Sequence, residues 1–149
     1  MLTQIKGLNK KLTQLIQLDI DASFCYEQAI RKIEEEDIRQ ELTSFKDDHD
    51  RHADILSAEL SKIGEEAPER RSDLKGMFLK GATAMQSVTG TIGALKAMQL
   101  NEKLTNRTYA KAAKWKAGDE IADIIQRNFE DEKNHLQYLN DKLDELTVG

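Results

Sequence analysis

The chain holds one cysteine, Cys25. A lone thiol excludes an intrachain disulfide, a CxxC zinc ribbon and a rubredoxin-type iron site within this chain. The expected role of Cys25 is that of a small buried or half-buried hydrophobe. Proline is as scarce, with Pro68 alone. Aromatic residues make up only 5% of the chain against 33% charged residues. Alanine, leucine, lysine and glutamate abound instead, a composition of long helices. No window approaches the ~18 consecutive apolar residues of a membrane span. The opening MLTQIKGLNKK has no apolar core of a signal peptide. A soluble, reducing, cytoplasmic setting is therefore expected, with no membrane partner. Basic charge is not in excess either, since the net charge is -5. A phosphate-binding protein usually carries a basic stripe. Lys6, Lys10 and Lys11 are read as part of a solvated helix face, and no nucleic-acid partner is expected.

What is present is apolar residues at helical spacing. The 149 residues suffice for one domain, 1–149, with a real core. The first segment, about Thr3 to Glu35, has the stripe Leu8, Leu12, Leu15, Asp19, Ala22, Tyr26, Ala29, Ile33. Its steps of three and four are those of a bundle helix. Asp21 and Glu27 fall off the stripe and are expected to face solvent. Asp37 is the expected N-cap of a second helix reaching Ile63, with stripe Leu42, Phe45, His49, His52, Leu56, Leu60. Gly64 is the expected stop. A polar linker around Pro68 leads to a shorter helix, capped at Ser72 or Asp73, with Leu74, Met77, Phe78 and Met85 as its apolar side. The small residues and glycines from Ser87 to Gly93 read as a break. A third long helix spans about Ile92 to Trp115, with stripe Leu95, Met98, Glu102, Thr105, Tyr109, Ala112. Asp119 is the expected cap of a last helix, Glu120 to Leu146, that carries Ile121, Ile125, Phe129, Glu132, His135, Leu139 and Leu143. The long segments have about 24 to 32 residues, roughly 36 to 48 Å at 1.5 Å per residue. The expected fold is an all-α four-helix bundle: hairpin 3–63, crossover 64–91, hairpin 92–146. A crossover that long lets the third helix start from the end at which the second began.

The two hairpins repeat one another. Asp19 and Glu102 are 83 positions apart (102 − 19), and the same offset joins Tyr26 to Tyr109, His49 to Glu132 and His52 to His135. Apolar positions follow it: Leu12 with Leu95, Leu42 with Ile125, Leu56 with Leu139. Each hairpin thus carries one acid on its first helix and a polar pair three apart on its second. Residues three apart share a helix face. Burying an unpaired carboxylate costs several kcal/mol, roughly, or forces it to take up a proton. Six such residues at stripe centres meet at one depth in a bundle. Carboxylate and imidazole donors converging there suit iron, manganese or zinc. A hydrogen-bonded polar layer without metal is the alternative.

These residues resemble the ferritin-like di-iron superfamily, to which rubrerythrin, bacterioferritin and ferritin belong. Its template is one Glu from each of two helices and a Glu-x-x-His from each of the other two. The length and the helix-bearing crossover resemble those of an uncharacterised bacterial ferritin-like family. The resemblance implies a site of two non-haem irons, with manganese or zinc as alternatives. Asp19 and Glu102 would be terminal ligands, Glu132 a bridging carboxylate, and His52 and His135 terminal imidazoles. Tyr26 and Tyr109 would orient the carboxylates or, as core aromatics, satisfy their own hydroxyls. Two positions depart from the template. Asp19 stands where Glu is usual. His49 replaces the glutamate that would bridge in the first hairpin; a neutral imidazole does not readily bridge and adds no negative charge. Two divalent ions would then face three carboxylates. Asp48 and Asp50 should point about 100° away and are not expected to substitute.

The function so implied is reaction with O₂ or peroxide, or iron handling under stress. An oxidoreductase of this kind would need an external electron donor, because rubredoxin cysteines are lacking. Iron storage is less favoured, since nothing after Leu146 would form the short fifth helix of storage ferritins. The alternative is a non-enzymatic bundle with a remnant or zinc site, acting as a binding or structural module. A homodimer is a further expectation.

Overall fold

A computed structural model of the chain describes residues 2–71, Met85 and residues 88–148, with side chains from Gly7 onward. Among the described residues there are four helices and no strand: α1 (Leu2–Ile30), α2 (Glu36–Lys62), α3 (Gly90–Ala112) and α4 (Asp119–Val148). They run for 29, 27, 23 and 30 residues. None is long and apolar enough to cross a membrane.

Local chemistry sets the ends, in places differently from expectation. Asp37 is not the N-cap of α2. Glu35 takes that place in extended backbone, and Glu36 and Asp37 lie in the first turn, where acidic side chains oppose the helix dipole. Asp119 likewise is the first residue of α4, and the carbonyl of Gly118 accepts the Ala122 N–H at 2.9 Å. At the end of α2, Gly64 adopts φ +79°. The Gly64 N–H bonds the Ser61 carbonyl and the Glu65 N–H bonds that of Leu60. This is a Schellman stop, which favours glycine because a Cβ is strained there. The expected break before the third helix is shorter than Ser87 to Gly93, because α3 already runs from Gly90. Gly93 lies inside it. A Cβ there would come 3.1 Å from Val88 Cβ, so the glycine admits the incoming chain. Trp115 lies beyond the end of α3, half-buried, with Lys11 Nζ 5.4 Å from its ring centroid.

Side-chain bonds give the directions of the helices. Asn9 meets Glu65 and Ser23 meets Asp50, so α1 and α2 are antiparallel. Gln99 meets Asn140 and Asn106 meets the Glu132 carbonyl, so α3 and α4 are antiparallel. Tyr26 meets Glu102 while Tyr109 meets Asp19, so α1 and α3 are antiparallel too. Hence α2 and α3 run the same way, and the end of α2 and the start of α3 lie at opposite ends of the bundle, about 40 Å apart for a 27-residue helix. The described ends of the connection between them meet α1 and the turn just after it. Gln17 donates to the Arg71 carbonyl at 3.0 Å. Lys32 donates to the Met85 and Val88 carbonyls. The expected crossover helix, with Leu74, Met77 and Phe78 and its cap at Ser72 or Asp73, lies outside the described residues.

The core follows the stripes. Leu12, Leu42, Leu56, Leu60, Leu95, Met98 and Leu139 are fully buried, and Leu15, Ile125 and Leu143 nearly so. Each such side chain contributes about 1.5–3 kcal/mol through burial. One expectation fails: Asp21 is 5% exposed, not solvent-facing. It accepts from Gln17 Nε2 at 2.9 Å, and Gln17 also holds Arg71, so the start of the crossover covers this side of α1. Cys25 is buried as expected, and burial pushes its thiol up to about 12.

Candidate metal centre

The four stripes bring their polar residues to one level. Asp19 comes from α1, His49 and His52 from α2, Glu102 from α3, and Glu132 and His135 from α4. None is more than 1% exposed. Their donor atoms form two overlapping groups: Asp19, His49, His52 and Glu132, and His49, Glu102, Glu132 and His135. Each group draws on three helices, so neither hairpin alone completes one. In the first group, Asp19 Oδ1 lies 2.8 Å from His49 Nδ1 and 3.3 Å from His52 Nδ1. Glu132 Oε1 lies 3.2 Å from His52 Nδ1 and 3.4 Å from His49 Nδ1. In the second, Glu102 Oε1 lies 3.0 Å from His49 Nε2 and 3.2 Å from His135 Nδ1. Glu132 Oε2 lies 3.5 Å from His135 Nδ1.

A second layer braces these groups crosswise. Tyr109 on α3 donates to Asp19 Oδ2 on α1 at 2.5 Å, and Tyr26 on α1 donates to Glu102 Oε1 on α3. Both tyrosines are fully buried. Thr105 Oγ1 lies 2.6 Å from Glu102 Oε2 and 3.1 Å from Glu132 Oε2, and Asn128 donates to the Tyr109 hydroxyl at 3.3 Å. The outward nitrogens of two histidines are held by aspartates of the facing helix. His52 Nε2 donates to Asp131 at 2.8 Å, and His135 Nε2 donates to Asp48 at 2.8 Å. Arg51 donates to both aspartates, at 2.9 and 3.0 Å. Asp50 turns away to Ser23 and Lys46. Neither Asp48 nor Asp50 enters a donor group. Asp48, Asp131, Arg51, Thr105 and Asn128 are absent from the sequence-derived set. The offset of 83 that joined the six also joins Asp48 to Asp131, and was the available signal for that pair.

The cluster is strongly polarised. Burial pushes the Asp19 and Glu102 carboxyls up, but hydrogen bonds and charge from the histidines outweigh it and bring both below their usual range. Glu132 goes the other way, raised by burial and by the charge of Glu102. Burial disfavours charged histidine, yet the surrounding carboxylates raise His49 and His52 to about 10 and His135 to about 11. Tyr26 and Tyr109 are held well above their usual value by burial and by Glu102 and Asp19 respectively, so they remain hydrogen-bond donors.

These residues fit a metal ion. Glu132 Oε1 is buried and, among the described residues, has no partner in hydrogen-bond geometry, although it faces the nitrogens of His49 and His52. Contacts of 2.8–3.5 Å between donors match those of atoms gathered about 2.0–2.2 Å around one ion. A ligating histidine commonly gives its other nitrogen to a carboxylate, as His52 and His135 do.

A family model described as domain of unknown function DUF2383 matches residues 8–116. The chain belongs to the DUF2383 family. The matched span holds Asp19, His49, His52 and Glu102 and ends before α4. DUF2383 proteins have a ferritin-like fold. No curated protein matches this DUF2383 chain. Among solved structures it is similar to a dodecameric thioferritin, the bacterioferritin-related protein of Bacteroides fragilis. The TM-score is 0.77 at 15% identity, over 97% of this chain and 88% of that one. At that identity the likeness shows the fold, the ferritin-like bundle that the resemblance implies.

Proposed function

We propose that this DUF2383 protein binds transition-metal ions at the bundle centre and uses them on O₂ or peroxide, or to handle iron under stress. The observation that carries the reading is Glu132 Oε1, a buried oxygen between two imidazoles and beside Asp19 that, among the described residues, has no partner in hydrogen-bond geometry. Asp19, His52 and Glu132 would hold one ion, and Glu102, His135 and Glu132 a second, with His49 between. Oxygen and imidazole donors suit iron, with manganese or zinc as alternatives. Bound iron would supply a redox-active Lewis acid that binds and polarises the oxidant. The chain's own residues do the rest. Tyr26 and Tyr109 fix Glu102 and Asp19 and hold a proton beside each. Asp48 and Asp131 fix the His135 and His52 rings with Nδ1 turned inward. Electrons would come from an external donor, because Cys25 is the only thiol. The solved relative is a dodecamer. A homo-oligomer of this chain, a dimer or larger, in the cytoplasm fits that reading, and light scattering measures its size.

The test is elemental analysis of protein made in iron-rich medium, counted per chain, followed by O₂ and peroxide consumption. Two irons and consumption of either oxidant are expected. Iron-loaded protein that consumes neither would refute the oxidant chemistry. A second reading has its own support: every ring nitrogen of the three histidines already meets a carboxylate. A polar core so closed serves a structural or binding module, and one zinc per chain or no metal would favour it.

A further inference from the structure

His49 differs from the other two histidines in one respect. His52 and His135 each turn Nδ1 inward and give Nε2 to an outer aspartate. His49 turns both nitrogens inward, Nδ1 to Asp19 and Nε2 to Glu102. Its ring is fully buried, and among the described residues no outer partner competes for either nitrogen. Glu132 is split the same way, with Oε1 toward His49 and His52 and Oε2 toward His135 and Thr105. The two donor groups share His49 and Glu132, and only these.

We infer that His49 is the bridge of this centre, binding one ion at Nδ1 and the other at Nε2; this rests on the metal-binding reading above. The first ion would be completed by Asp19, His52 and Glu132 Oε1, the second by Glu102, His135 and Glu132 Oε2. On binding the second ion, the ring gives its remaining N–H proton to solvent and becomes an imidazolate. The donor set then carries three carboxylate charges and one imidazolate charge, which balance two divalent ions. The position that seemed to cost the site a negative charge restores it. The geometry also sets the spacing. Ions about 2.0–2.1 Å from opposite nitrogens of one ring lie roughly 6 Å apart. Two-metal sites bridged by oxygen ligands hold their ions about 3.5–4 Å apart.

Crystals of the full chain grown with zinc, measured by anomalous diffraction at the zinc edge, test this without a variant. Two peaks per chain, roughly 6 Å apart on either side of the His49 ring, are expected. Two peaks about 3.5–4 Å apart, or a single peak with His49 on one ion, would overturn the bridge while leaving the metal site intact. No peak at the centre would overturn the metal-binding reading itself. Variants give a second readout in solution, with circular dichroism confirming the fold. His49→Gln is expected to lower zinc from two ions per chain to one or none. His49→Glu is expected to keep two and draw them together to about 4 Å. A His49→Gln protein that retains two tightly bound zinc ions would refute the bridge.

Discussion

The aspartates behind the histidines give a sharp test of the centre. In Asp131→Asn the side chain keeps an oxygen that can accept from His52 Nε2, but loses its charge. That bond is 2.8 Å long and joins a fully buried ring to a carboxylate that is 29% exposed. The bond from His52, helped by Arg51 and outweighing the upward push of burial, holds the Asp131 carboxyl down at about 2, so the pairing is strong in the metal-free protein. In the loaded protein the same carboxylate makes the imidazole a better donor and keeps Nδ1 free of its proton. Removing such a partner costs roughly 10- to 100-fold in metal affinity. Partial exposure screens the charge and places the effect near tenfold, about 1.4 kcal/mol. The assay is zinc titration at pH 7 against a chromophoric chelator. Asp131→Asn should weaken one of two ions about tenfold and leave the other within about threefold. Asp48→Asn, acting on His135, should do the same to the other ion. Both variants binding both ions as tightly as the native chain would refute the ligand roles of His52 and His135.

Two further outcomes follow from the core and from pH. Leu56→Ala empties a fully buried site and should lower stability to urea by about 2–5 kcal/mol. For the metal-free protein, the folded values of His49, His52 and His135 near 10–11 exceed the unfolded value of about 6.5. Their contribution is therefore complete below about pH 6.5 and is lost as pH rises through 10. Asp19 and Glu102, depressed in the fold, contribute above their unfolded values near 4 and lose that as pH falls; Glu132, raised, acts against them. Urea midpoints of metal-free protein should thus peak between about pH 5 and 6.5. Metal must displace protons from the same rings, so zinc should raise the melting temperature more at pH 8 than at pH 6.

The sequence made the centre legible because burial of charge is costly, and a polar residue on an apolar stripe therefore stands out. Asp19, His49, His52, Glu102, Glu132 and His135 all declared themselves in this way. Asp48 and Asp131 did not, because each sits one position before a stripe residue and so about a quarter-turn off the face. From the seam between α2 and α4 each reaches a histidine on the other helix, a contact that needs the antiparallel placement of the two hairpins. Asp21 was misread for a related reason. Periodicity describes only the face turned to the other long helices, and Arg71, at the start of the crossover, meets a second face of α1 through Gln17. The cap of α2 at Glu35 and the true start of α3 turned on single backbone angles and one close approach at Gly93, which composition does not encode.

The internal symmetry also bears on whether His49 marks a site in decay. The repeat predicts that bracing contacts occur in pairs, and those of the tyrosines and of the outer aspartates do. Tyr26 holds Glu102 as Tyr109 holds Asp19, and Asp48 holds His135 as Asp131 holds His52. Arg51 ties the last two together. A centre relaxing into a plain polar core has no need of buried tyrosines on its acids or of aspartates on its outward nitrogens, because apolar replacements of similar volume are often as stable. The two halves differ at the level of the ligands chiefly in the pair His49 and Glu132, and these are the two residues common to both donor groups. On the metal-binding reading proposed above, a change at the shared position, with the tyrosine and aspartate braces kept on both sides, alters how two ions would be linked rather than whether they are held.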